Sequence, residues 1–243
     1  MSVDVDDGGR MARAEKIWRT SFYWALAIVA AQFALAIYFA QKIWPLARVP
    51  MHYDLQGHVN RWAGGHEGAY FMFLLPSISL IVTASLRFAS KNGPHLEGMA
   101  ATPRLFAATL IGVPLVLFGA LVAVATNMIA PPPDGETGWS VRVILGLAGL
   151  LVAVLGNFLG KTQRNWWIGV RTPWSLSSDA AWAKSNRLAG RLMVLTGLSS
   201  ALVAMFGPAY AAGLVLGLGS AVMAVCAVYV SWDVWRHDPN RTA

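Results

Sequence analysis

Imidazole and carboxylate groups gather in one stretch of the sequence, VPMHYDLQGHVNRWAGGHEGAY, residues 49 to 70. His52 and Asp54 are two apart, His58 follows four later, and His66 and Glu67 come after it. These are ligand types that a zinc site uses, and Gly57, Gly64 and Gly65 give the backbone freedom to fold the loop back so that they converge. A base such as Asp54 or Glu67 beside that metal would make a hydrolase. The stretch lacks an HExxH pattern, however, and an isolated loop histidine commonly donates to nearby backbone in a tight turn. We therefore assign no catalytic residue and expect no enzyme. His52, Asp54 and His58 stand as candidates for a binding patch, with zinc as the one cofactor they could hold.

The second concentration of polar chemistry is GNFLGKTQRNWWIGVRTPWSLSSDAAWAKSNRLAG, residues 156 to 190. Its tryptophans suit a membrane headgroup zone, and Arg164, Arg171 and Lys184 suit a cytoplasmic face. Thr172 precedes Pro173 and is pushed toward an extended conformation. Ser177 or Ser178 can then cap a helix starting near Asp179, whose carboxylate complements the helix dipole. Asn157 and Asn165 are expected to be structural amides at the junction of span and loop. Arg171 would either tie down its own loop or contact a partner.

Both stretches must be positioned by apolar elements. Of 243 residues 56% are hydrophobic and 13% charged, too few charges to cover a water-soluble globule of this size. Mean hydropathy is +0.50. Windows of about 20 residues without internal charge occur six times. They run from Ser21 to Gln41, Ala69 to Leu86, Leu105 to Ile129, Val141 to Gly160, Leu188 to Phe206 and Ala211 to Trp232. The fold class predicted is all-α, a polytopic membrane helix bundle of six transmembrane helices. The first run is longer than a signal-peptide core and reads as an uncleaved span.

Orientation follows from the basic residues. With both termini inside, Lys42, Arg48, Arg61 and Arg142 fall outside and the rest of the 19 Lys and Arg fall inside, which is the positive-inside pattern. The formal charge of +7 thus reads as a topology and anionic-lipid signal, with the bilayer as partner and no nucleic acid. Residues 1–20 form a cytoplasmic tail, of which 1–9 are expected to be disordered. Residues 21–140 make an N-terminal membrane half with the outer loop 44–68. Residues 141–243 make a C-terminal half with the inner loop 161–187.

Within the spans, Gly156 with Gly160 and Gly213 with Gly217 are small-xxx-small pairs for close helix packing. Pro76 and Pro114 are expected to kink the second and third spans. Gln32, Asn127 and Asn157 are intramembrane amides expected to hydrogen-bond between helices. No Asp, Glu, Lys, Arg or His lies deep in a span, unlike the pathway of an ion-coupled transporter. Cys226, the single cysteine, cannot form an intrachain disulfide.

The inner stretch resembles the signature of the SdpI family, bacterial membrane proteins named for an immunity protein against a secreted sporulation-delay toxin. The matching residues are Gly156, Asn157, Gly160, Lys161, Asn165, Ile168, Gly169, Arg171, Thr172, Pro173, Trp174, Trp182 and Gly190. Ser185 and Asn186 replace a frequent Thr-His. Pro50, His52, Tyr53, Asp54 and Gly57 resemble the motif of an uncharacterised domain that often precedes this signature, with Asn60 in place of a frequent Asp. The resemblance implies a plasma-membrane protein giving immunity to a peptide toxin or antimicrobial, with signalling through a cytoplasmic repressor. A small-molecule transporter or channel, and a metal-dependent membrane enzyme, remain the alternatives.

Overall fold

The computed structural model describes residues 4–53, 59–92, 100, 102–131, 138–166 and 168–242. It contains six helices long and apolar enough to cross a membrane, spanning Gly8–Ile43, Gly65–Asn92, Pro103–Ile129, Trp139–Leu159, Asp179–Phe206 and Ala209–Arg236. These coincide with the six apolar runs and extend most of them, because the helices continue beyond the uncharged cores. In chain order the elements are α1 (Asp4–Ile43), β1 (Val49–Tyr53), β2 (Val59–Ala63), α2 (Gly65–Phe71) and α3 (Leu74–Asn92). Then follow α4 (Pro103–Ile129), α5 (Gly138–Leu159), α6 (Pro173–Leu176), α7 (Asp179–Phe206) and α8 (Ala209–Arg236). Large apolar side chains point outward along the spans, among them Leu195, Leu202, Leu218 and Val225. Outward-facing leucine and valine at this density are what hydrocarbon, not water, solvates.

Two features differ from the sequence expectation. Residues 4–9 belong to α1 instead of forming a disordered tail. The helix is anchored further on by Ala14 and Trp18, both fully buried against Phe106 and Leu110 with Met11, Leu86 and Ile168 around them. The Glu15 carboxylate also takes Arg87 Nη2 at 2.8 Å. Spacings of three and seven from Met11 put Ala14 and Trp18 on one helix face with it, so packing outweighs the acidic composition ahead of it. The second difference is a two-stranded antiparallel hairpin, β1 with β2, in an otherwise helical chain. Val49 holds it to the bundle by packing with Ile43, Ala69, Met72 and Met128. A Cβ on Gly65 would lie 2.6 Å from the Leu46 carbonyl oxygen, so only glycine lets the chain re-enter here.

Pro76 acts on the second span as expected, splitting it. A proline clashes with the carbonyl four residues earlier, and α2 ends and α3 begins on either side of Met72 and Phe73. Pro114 stays inside α4, where its carbonyl accepts from Gln32 Nε2 at 2.6 Å in a fully buried α1–α4 contact. Asn127 likewise donates from Nδ2 to Ser140 Oγ at 2.5 Å, joining α4 to α5. Asn157 does not follow: it is exposed, and among the described residues it has no interhelical hydrogen bond.

The fourth and fifth spans cross on glycine. A Cβ on Gly156 would meet the Gly190 carbonyl oxygen at 2.7 Å, and one on Gly149 would meet that of Gly197 at 2.6 Å. Gly149 and Gly156 are seven apart, as are Gly190 and Gly197, so each pair lies two turns along one face and the helices run antiparallel. Gly160 packs on the Arg187 stem. The pair Gly213 and Gly217 does not make a close approach: beside Gly217 there is open space, and Gly219 is the α8 glycine pressed against a neighbour, Thr196.

Candidate functional site

The loop between α5 and α7 is built by side chains hydrogen-bonding to backbone. Thr162 turns the chain off α5 by donating from Oγ1 to the Leu159 carbonyl at 2.8 Å. Trp182 Nε1, from α7, donates to the Thr162 carbonyl at 2.9 Å, and its ring is almost wholly buried. Asn165 closes the next turn. Its Nδ2 donates to the carbonyls of Gln163 and Ile168, at 2.9 and 3.1 Å, and its Oδ1 accepts from Ile168 N at 2.8 Å. The chain then passes between Trp182 and Asn186 at Gly169, whose φ is +139°. A Cβ there would stand 2.7 Å from Trp182 Cη2 and 2.8 Å from Asn186 Oδ1, so glycine is required both by backbone and by space.

Asn186 occupies a place where the family signature often has histidine, and its function here is structural. Its Oδ1 accepts from Val170 N at 2.8 Å while its Nδ2 donates to the Trp182 carbonyl at 3.0 Å. The sequence reading missed this buried residue; its amide, with one acceptor and one donor group, is what an unpaired loop N–H needs. Thr172 is extended, with φ −92° and ψ 159°, and caps α6 in a reciprocal arrangement with Ser175, with Pro173 at the first helical position. Such a cap satisfies donors the short helix leaves free. Thr172 Oγ1 also bonds Ser231 Oγ on α8 at 2.8 Å. Ser178, not Ser177, caps α7, accepting from Ala181 N at 3.0 Å.

The signature residues therefore divide by exposure. Asn165, Gly169, Thr172 and Trp182 form the clasp. Arg171 and Pro173 are exposed and Trp174 is half-buried. Arg171 Nη1 donates to the Trp166 carbonyl at 2.5 Å, tying down its own loop. Asn157 and Lys161 lie apart, on the flank of α5. Trp166, 48% exposed, presents a large apolar face beside Arg171. The hydroxyl of Thr172 bonds that of Ser231, the hydroxyl of Ser175 donates to the Val170 carbonyl, and the hydroxyl of Ser178 donates to the Asp238 carboxylate.

The C-terminal segment returns to this loop. Ser178 Oγ donates to Asp238 Oδ2, and Thr242 N donates to the Ser177 carbonyl at 2.9 Å. The hydroxyl of Ser178, and then the backbone N–H of Asn240, lower the Asp238 pKa below its ordinary value. A carboxylate so depressed stabilises the fold above its ordinary pKa and loses that contribution as pH falls through the lower folded value. The protection factor of the Thr242 amide, the slowing of its exchange relative to an unstructured chain at the same pH, is accordingly expected to fall as pH drops below about 4. An Asp238→Asn variant, which keeps an acceptor but cannot titrate, should show no such step.

On the hairpin, His52 Nδ1 donates to Asn60 Oδ1 at 2.6 Å across the strands. Glu67 is paired with Arg61, and the His66 ring meets Trp44 edge-on at 4.2 Å. Asp54 and His58 lie outside the described residues. Among the described residues no three of His, Cys, Asp and Glu gather as a metal site would require. Tyr53 is partly buried, which raises its phenol pKa, against a smaller opposing effect of its hydrogen bond with Asn127. Trp44, Trp62 and Tyr70 are exposed, as an interfacial aromatic belt would be, with Arg48 stacked over Trp62 at 4.7 Å.

Residues 161–232, which contain the clasp, the span that follows it and most of the last span, match the SdpI/YfhL protein family. Over this segment the chain is similar to the SdpI/YfhL family. The chain is also 32% identical over 72 residues to the immunity protein SdpI of Bacillus subtilis (strain 168). That alignment covers 29% of this chain and 35% of the relative. The chain thus spans about a third of the length of the curated relative it matches. No solved structure matches. The family match begins at Lys161, so Gly156, Asn157 and Gly160 of the signature, and the whole hairpin, lie ahead of it.

Proposed function

We propose that this protein protects a bacterial cell against a membrane-active peptide toxin or antimicrobial, and that it does so by binding, without catalysing a reaction. The observation that carries the reading is the match of residues 161–232, which build the clasp, to the SdpI/YfhL family, together with the 32% identity over 72 residues to an immunity protein. A clasp whose hydroxyls and amides are spent on holding backbone presents a shape, not a reactive group. In this reading the protein sits in the plasma membrane with both termini in the cytoplasm. The hairpin, with Trp62, Tyr70 and Arg48 exposed, meets the amphipathic peptide outside. The SdpI loop offers Trp166 and Arg171 to an acidic cytoplasmic regulator.

The orientation has its own check. In a Cys226→Ser background, a membrane-impermeant maleimide should label Arg61→Cys in intact cells and Lys184→Cys only after lysis; the reverse order refutes the assignment. The function is tested by expressing the protein in toxin-sensitive cells and titrating secreted membrane-active peptides, the sporulation-delay toxin first. Survival at several times the concentration lethal to vector controls is expected for at least one peptide. Equal killing across the panel, at verified membrane levels, would remove the immunity reading.

A further inference from the structure

The C-terminal half carries a groove that the clasp does not use. It has a volume of about 440 Å³ and lies between the end of α5 and the first half of α7. Its floor is the glycine crossing described above, Gly156 against Gly190, which brings the two backbones together and leaves no side chain to fill the space. Its rim holds three cations: Lys161 from the turn that follows α5, and Arg187 and Arg191, one turn apart on α7. All three are exposed, and among the described residues no carboxylate pairs with any of them. Lys161 Nζ is held 5.7 Å over the Phe158 ring, and the Arg187 stem lies over Gly160. Three unpaired cations around one cavity repel one another, and an anion between them removes that cost.

Depth decides which anion. Gly156 and Asn157 lie in the last turn of the fourth apolar span, and Val194 lies in the uncharged run that follows Arg191 in the fifth, so in a bilayer the groove would run from the hydrocarbon up to the charges. An occupant needs an apolar part at Val194 and an anionic part about one turn higher. We propose that this groove binds an anionic phospholipid, its phosphate among Lys161, Arg187 and Arg191, its glycerol region near the Asn157 amide and an acyl chain passing Val194. The site is independent of the immunity reading and requires only that the chain spans a bilayer.

The test uses the full chain, purified in neutral detergent and titrated with phosphatidylglycerol or phosphatidylcholine, with bound lipid counted by native mass spectrometry. Wild type is expected to retain phosphatidylglycerol in preference to phosphatidylcholine. The variant Lys161→Gln, Arg187→Gln, Arg191→Gln should bind it on the order of a hundredfold more weakly, at about fivefold per charge. A control losing the same charge elsewhere, Lys16→Gln, Arg19→Gln, Lys184→Gln, should bind as wild type does. Should the triple variant not fold, Arg191→Gln alone carries the test, with about a fivefold loss expected. Equal binding of both lipids by wild type, or undiminished phosphatidylglycerol binding by a folded groove variant, would overturn the proposal. So would full competition by inorganic phosphate at the same concentration, which would make the groove a free-anion site.

Discussion

Replacing Gly197 by leucine is expected to be among the most damaging single changes in the protein. The first atom added, Cβ, would collide with the Gly149 carbonyl oxygen and approach Ala153 N to 2.6 Å. Both obstacles are backbone, so no rotamer change relieves them and α5 and α7 must move apart. Overpacking of this kind costs about 1–3 kcal/mol in ordinary cores. Here it also separates the Gly156–Gly190 crossing two turns away, so about 3 kcal/mol or more is expected. That corresponds to a fall of about 6–12 °C in the thermal midpoint of the detergent-solubilised protein. Gly217→Leu is the matched control, since nothing lies within 4 Å of its added Cβ. It should change stability by less than about 0.5 kcal/mol. Equal losses in the two variants would mean that glycine is not what sets the α5–α7 distance.

Gly169→Ala should be the second large effect, and a more local one. The backbone at φ +139° excludes ordinary side chains at a cost of about 1–3 kcal/mol. The methyl would also push on Trp182 and on Asn186 Oδ1. If Asn186 withdraws, Val170 N loses its acceptor, and an unmet buried donor costs a further ~1–3 kcal/mol. The loop from Asn165 to Ser175 is then expected to become susceptible to protease while the spans keep their helicity by circular dichroism. A variant with native protease resistance would show that the loop has an alternative path around Trp182.

These two glycines also show what the sequence made readable. The six spans were legible because bilayer thickness imposes a length and composition that few other constraints mimic. The importance of the loop was legible from its unusual string, and Thr172, Pro173 and Ser178 were legible as caps because capping is local chemistry. The role of Asn186 was not, since its two partners come from a loop 16 residues away and from its own helix. Gly149 and Gly197 were missed because a spacing of four was sought while the crossing repeats at seven; two turns of one helix face satisfy either. Gly213 and Gly217 have the right spacing but face no helix closely, and spacing alone does not tell a packed face from a lipid-facing one. The hairpin escaped because five-residue strands beside the bundle carry too little alternation to be distinguished from loop. Helical continuity through residues 4–20 was signalled by the spacing of Met11, Ala14 and Trp18, which the acidic start obscured.

Trp182 and Asn186 of α7 hold the loop through its backbone, and this is what makes the signature a clasp. Amide hydrogen exchange at Val170, in wild type and in Asn186→Ala, measures it most directly. Slow exchange in wild type and an increase on the order of tenfold or more in the variant is the expected result, from a hydrogen bond worth about 1.4 kcal/mol. Equal exchange in the two proteins would contradict the clasp and return Asn186 to the status of an ordinary buried amide.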